Sequence, residues 1–141
     1  MKLFFDDGIK EFETNNGQIL RFNPSDPAFY DRFRTMITKI EKAETELDVA
    51  DPKTGDEVLD LMCEYDHKIK CYLNEAFGLN NDFEKIFSGV NMMAVGKNGH
   101  RIIGNFLDAI QPIIEEGAKQ HAKSAAADAV AQARARREAR S

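Results

Sequence analysis

The sequence predicts a mainly α-helical fold: a helical bundle of about four helices, with a small N-terminal β-hairpin and an Ala/Arg-rich C-terminal helical tail. Three observations predict it. Apolar residues recur three and four apart in long runs between residues 27 and 114, an Asn-Gly turn separates two short β-prone runs near the start, and alanine dominates beyond residue 118. The 141 residues fit one domain with some extension to spare, read as residues 1–118 (hairpin plus helices) and residues 119–141 (basic tail). Apolar residues make up 43% of the chain, enough for a modest core, and ten Phe with three Tyr and no Trp make Phe its anchor.

Residues 12–14 and 19–22 flank Asn15-Asn16-Gly17 and read as a hairpin. Asp6-Asp7-Gly8 is a second turn, so residues 2–5 are expected to supply a third short strand. A sheet this small must pack its apolar face on helices. The first helix starts sharply at Asn23-Pro24-Ser25-Asp26-Pro27, where Ser25 or Asp26 caps and Pro27 suits the first turn. Phe29, Phe33, Met36 or Ile37, Ile40, Ala43 and Leu47 then follow at helical spacing, for a helix of about 20 residues. Asp51-Pro52-Lys53-Thr54-Gly55 breaks it. A second helix begins near Thr54 or Asp56, with Thr54 and Glu57 at capping-box spacing, and stops at Phe77-Gly78. A short helix is expected over residues 81–87, then a loop over residues 90–99. The fourth helix runs from about His100 through Ile114, with Pro112 expected to kink it or start a new segment. The Ala-rich stretch beyond it favours helix but offers little to bury, so an extended or frayed helix without its own core is expected.

Charge divides the chain. Residues 119–141 hold six basic side chains (Lys119, Lys123, Arg134, Arg136, Arg137, Arg140) against Asp128 and Glu138, a net of +4, so residues 1–118 carry −9 of the total −5. Net electrostatics therefore argue against nucleic acid as the whole molecule's partner. The N-terminus turns acidic at Asp6-Asp7, unlike a signal peptide, and no apolar run approaches the ~18 residues of a membrane span. A cytoplasmic protein with no membrane contact is expected. Cys63 and Cys71 stand eight apart on one helix, about 12 Å, beyond the ~4.4–6.8 Å of a disulfide, and read as free thiols.

No constellation carries catalysis. Cys63, His67 and Cys71 share a helix stripe, but the outer sulfurs are too far apart for one ion, and semi-buried thiols beside a surface His are the plainer reading. Asp6-Asp7-Gly8 lacks the alternating ligands of a calcium loop. Gly96-Lys97-Asn98-Gly99-His100-Arg101 lacks the order of a phosphate-binding P-loop. There is no G-x-S-x-G elbow, and the carboxylates spread over solvated helix faces. The expectation is a protein that is not an enzyme and takes no cofactor and no metal. What remains is binding. The first helix presents Phe29, Tyr30, Phe33, Met36 and Ile37, slightly more apolar surface than one stripe needs, and these are the candidate partner-binding residues. Arg134, Arg136, Arg137 and Arg140 are the alternative, a contact for nucleic acid or an acidic partner without interleaved aromatics to stack bases.

Three stretches taken together resemble a known family. They are the first eight residues with Ile19-Leu20-Arg21-Phe22-Asn23-Pro24-Ser25-Asp26-Pro27-Ala28-Phe29; Asn74-Glu75-Ala76-Phe77-Gly78 with Ile86-Phe87-Ser88-Gly89; and Asn105-Phe106-Leu107-Asp108-Ala109-Ile110-Gln111-Pro112-Ile113-Ile114. The set resembles the short tail-morphogenesis proteins of Firmicutes siphophages and prophages, usually read as tail assembly chaperones. It covers nearly the whole chain up to residue 118, beyond which an Ala- and Arg-rich end replaces the family's short Lys-rich one. The resemblance implies a protein without an active site that keeps the hydrophobic tape-measure protein soluble until tail tube subunits assemble around it. It further implies several copies per client, hence self-association, and work in the bacterial host's cytoplasm. Two rivals remain: a phage regulatory or nucleic-acid-associated protein acting through the basic tail, and an inhibitor of a host enzyme whose acidic surface imitates nucleic acid.

Overall fold

The hairpin forms where the Asn-Gly turn places it. Strands β1 (Lys10–Glu13) and β2 (Ile19–Phe22) pair antiparallel with Phe12 opposite Leu20. Gly17 supplies the positive φ of +78° that the turn requires. The structure, a computed structural model, describes residues 1–78 and 80–140; the side chains of Ala125 and Arg140 also lie outside what is described. The third strand expected over residues 2–5 is not formed. Instead Asp6 and Asp7 accept hydrogen bonds from the backbone of Gly8 (2.9 Å) and Ile9 (3.0 Å), and Asn23 donates to the Asp7 carbonyl (3.1 Å). Residues 1–5 stand exposed and join no strand. Gly8 is held at φ +73°, and a Cβ there would stand 2.4 Å from Asn23 Nδ2, so both conformation and space call for glycine.

Helix α1 (Pro27–Val49) is capped by Asp26, whose carboxylate accepts from Ala28 N, with Pro27 in the first turn. Helix α2 (Gly55–Phe77) is capped by Thr54, which accepts from Glu57 N at 3.1 Å. Glu57 reaches back to Lys53 N (2.6 Å), one residue beyond the expected reciprocal bond. Gly78 ends α2 at φ +95°. The two helices run antiparallel, since Arg32 meets Ala76, Lys39 meets Glu75, and Glu46 meets Tyr65. Their apolar stripes face each other: Phe29, Phe33, Met36, Ile40 and Ala43 against Tyr65, Ile69, Leu73, Ala76 and Phe77.

Helix α3 (Phe83–Ile86) is shorter than the expected 81–87 because Asp82 caps it and Asn81 is used elsewhere. The Asn81 side chain accepts from Arg21 N (2.8 Å) and donates to Arg21 O (2.7 Å) and Phe77 O (3.1 Å). Its amide thus pairs with the outer edge of β2 as a neighbouring strand would, leaving no buried polar atom of its own unmatched. The 90–99 loop buries Met92 and Met93 and closes with a bridge between Val95 and Arg101. Helix α4 (Ile102–Arg140) therefore starts two residues later than expected. Pro112 lies inside α4, which continues past it as one element and starts no new segment.

Eight of the ten Phe join one contiguous aromatic cluster: Phe12, Phe22, Phe29, Phe33, Phe77, Phe83, Phe87 and Phe106, with successive centroids 4.9–6.1 Å apart. The first half of α4 adds Ile103, Ile110 and Ile114. Gly117 lets α4 touch the backbone at the entry to α1, since a Cβ there would stand 2.2 Å from Pro24 O. Beyond it the helix runs exposed, as the alanine-rich composition predicts.

Candidate partner-binding groove

The hairpin tip, α3 and the first half of α4 leave between them an apolar groove of about 430 Å³. Leu20, Ile86 and Ile110 are its buried floor. Phe12, Phe87, Ile102, Phe106 and Ile113 form half-buried walls, with Val90 exposed at the lip. Phe87 and Phe106 meet edge to face at 5.2 Å, so the groove is where the aromatic cluster opens to solvent. Around it sit Glu13, Thr14, Asn15 and Asn16 from the hairpin and Asn105 from α4; the Asn16 amide bonds Ser88 and Thr14, and the Asn105 amide pairs with Asn98. A concave apolar surface edged by a few polar groups is the usual form of a ligand site.

Long-range polar contacts hold the groove's parts in place. Asn16 donates to Ser88 Oγ at 2.5 Å, tying the hairpin tip to the segment after α3. Lys70, 4% exposed, joins Asp66 (3.1 Å) and Glu84 (3.0 Å), while the other Asp66 oxygen accepts from Met92 N at 2.7 Å. The buried ammonium thereby docks α3 onto α2, and the Asp66 carboxylate docks the Met92 loop. The i,i+4 spacing of Asp66 and Lys70 is visible in the sequence, but the closing partner Glu84 is not. Arg101 bonds Glu44 (3.1 Å) and Asp48 (2.8 Å) on α1. Partial burial pulls its guanidinium down, but Asp48 and Glu44 outweigh that and hold it above its ordinary range. Arg101 is thus engaged in fixing the start of α4.

No protein-family model, curated protein or solved structure matches the chain. The groove is accordingly interpreted from its own chemistry.

The candidate surface on α1 requires correction. Phe29, Phe33 and Met36 are 2%, 8% and 2% exposed, covered by β2 and α2, so they are core and present no surface to a partner. Periodicity reveals that a face is apolar but not what covers it, and here the surplus is a wide core face. Ile37 is half-buried against the same core. Tyr30 alone of the five is exposed, with the Arg34 guanidinium 5.3 Å from its ring centre. Arg134, Arg136 and Arg137 are exposed on the outer half of α4, and the side chain of Arg140 lies outside the described residues. Cys63 is exposed and Cys71 half-buried, both free thiols, with Cys71 Sγ 3.8 Å from His67 Nε2. Among the described residues no group of three or more His, Cys, Asp or Glu is arranged to hold a metal, and no helix is long and apolar enough to cross a membrane. The groove was missed because its walls come from three separate stretches, the hairpin, the end of α3 and the first half of α4, each reading as ordinary core. Phe87 and Phe106, nineteen apart in sequence, carry no pattern linking them to Phe12.

Proposed function

We propose that the chain is a non-catalytic phage tail assembly chaperone, acting in the bacterial cytoplasm. It binds apolar segments of the tape-measure protein, with the tail tube protein as second partner. The groove is the observation that carries this reading, being the one place where the aromatic cluster is half-open among the described residues. Phenyl walls accept many apolar side chains without demanding one shape, which suits a long client of varied sequence. Asn15 at its edge offers an amide to the client's backbone, and the net −9 of residues 1–118 keeps the complex dispersed. The sequence resemblance to tail chaperones supports the same class.

Co-expression with the tape-measure protein of the same phage tests it. Wild-type chain is expected to render the client soluble and to co-purify with it. Ala109→Glu, which sets a charge into the groove from an exposed helical position, is expected to lose the client while keeping its melting temperature. A client that stays insoluble beside folded wild-type chain would sink the reading.

The exposed arginines of the outer half of α4 favour one other reading, a nucleic-acid-associated protein. It requires salt-dependent DNA or RNA binding that vanishes on deleting residues 119–141.

A further inference from the structure

The two Phe outside the aromatic cluster are Phe4 and Phe5, 85% and 73% exposed, beside Leu3 at 85%. This is the densest run of exposed large apolar side chains among the described residues. Groove and segment thus show complementary defects, an aromatic cluster open on one side and an exposed apolar run at residues 3–5 with no cluster to join. We propose, on the reading of the groove as a peptide-binding surface, that residues 1–5 of one copy dock in the groove of a second copy, joining chains head to tail.

Four observations select this occupant. First, the segment does not fill its own groove, since Leu3, Phe4 and Phe5 all stand exposed. The turn at Asp6–Ile9, tied to Asn23, sits at the open end of the hairpin, whereas the groove lies by the tip at Thr14–Asn16. Second, the sheet has one edge to offer. Asn81 occupies the outer edge of β2, and β1, whose Phe12, Glu13 and Thr14 line the groove in succession, is the open edge among the described residues. A strand added to β1 directs alternate side chains to one face, so Leu3 and Phe5 enter the groove together. Third, the charges match: Lys2 of the segment approaches Glu13, which is exposed at the groove's edge. Fourth, the short β-prone run at residues 2–5 reads as a third strand yet pairs with nothing in its own chain, and the open edge of β1 in a neighbour supplies the missing partner.

Because segment and groove are different surfaces at different ends of the hairpin, the contact is heterologous and builds open chains or rings, not a closed two-fold dimer. Occupation by a second copy also keeps the phenyl walls covered until a client competes for them.

The test is sedimentation of the full chain alone, over a wide concentration range. Wild type is expected to associate as concentration rises. Phe5→Asp removes the plug, and Ala109→Glu blocks the socket. Each is expected to weaken association about tenfold or more, since each places an unpaired charge in an apolar contact. Mixed in equal amounts, the two variants are expected to form a one-to-one pair that stops there, because one intact plug meets one intact socket. A wild-type chain that stays monomeric throughout overturns the proposal, as does an assembly that Phe5→Asp leaves intact. The experiment contains no client, so its failure is separate from failure of client capture, and a loss of client binding leaves its outcome unchanged.

Discussion

Residues 102–117 of α4 bury Ile103, Ile110, Ile114 and Gly117, whereas residues 118–140 bury no side chain among those described. The backbone is the same helix throughout, yet it forms for two different reasons. In the first half, packing decides: two glycines and a proline, all poor helix formers, are carried by an isoleucine stripe set into the core. In the second half no described side chain is buried, and alanine's intrinsic preference carries the helix outward. At roughly 1.5 Å per residue, the outer half extends about 35 Å from the body. The contrast shows that helix content and core stability are separable here, and substitutions in each half can break or sharpen it.

The largest effect belongs to the inner half. Ile103 is fully buried, and Ile103→Ala removes apolar contacts and leaves a cavity. The expected cost is about 2–5 kcal/mol, with a fall in Tm of at least about 6 °C, read by thermal or urea unfolding. Val130→Ala in the outer half, 53% exposed in wild type, is expected to leave Tm unchanged. Equal losses at the two sites would mean that the outer half is packed in solution, and the distinction would collapse.

Next in size is the polar link that holds β2 against the junction of α2 and α3. Asn81→Ala leaves the Arg21 N–H and C=O without their partner at a part-buried site, an expected loss of about 1–3 kcal/mol. Asn81→Asp keeps the acceptor for Arg21 N but loses both donated bonds, so it is expected to recover only part of the loss. Hydrogen exchange at Arg21 separates the two variants.

Two glycines of α4 give a matched pair with opposite signs. At Gly117 a Cβ would lie 2.2 Å from Pro24 O and 2.4 Å from Pro24 C, both backbone atoms that cannot swing aside. Alanine there gains about 1 kcal/mol of helix propensity but incurs about 1–3 kcal/mol of overpacking, so Gly117→Ala is expected to destabilise. At Gly104 nothing lies within 4 Å of a Cβ, so Gly104→Ala is expected to stabilise by about 0.5–1 kcal/mol. Urea midpoints of the two variants should move in opposite directions, and a stabilised Gly117→Ala would show that α4 does not approach Pro24 this closely.

These examples also show which features the sequence made legible. Caps and periods are local, so Asp26, Thr54, Gly78 and the Asn-Gly hairpin could be placed within a residue or two. What decides the candidate site is non-local. Asn81 acts on Arg21 sixty residues away, Lys70 finds Glu84, and Gly117 exists for Pro24. None of these pairs leaves a periodic trace. The α1 stripe failed as a partner surface for the same reason, because Phe29, Phe33 and Met36 look alike whether covered by β2 or by a client. The β propensity of residues 2–5 predicts a third strand, but Asp6 and Asp7 turn the backbone at Gly8 and Ile9, and residues 2–5 join no strand.

The smallest effect on stability is expected from the outer half itself. A free helix of about twenty residues is marginal in water even when rich in alanine, because its first turn is costly to form. Here the packed inner half supplies that first turn, and the outer residues only propagate it. Ala129→Gly therefore costs about 1 kcal/mol locally and is expected to fray the helix from residue 129 outward without touching the core. The far-UV circular dichroism signal should fall while the urea midpoint, followed through tyrosine absorbance, stays put. Tyr65, buried against α1 and bonded to Glu46 at 3.2 Å, reports the core and not the tail. If both signals moved together, the outer half would be coupled to the fold after all, and its arginines would have to be read as part of the body's charge instead of a separate arm.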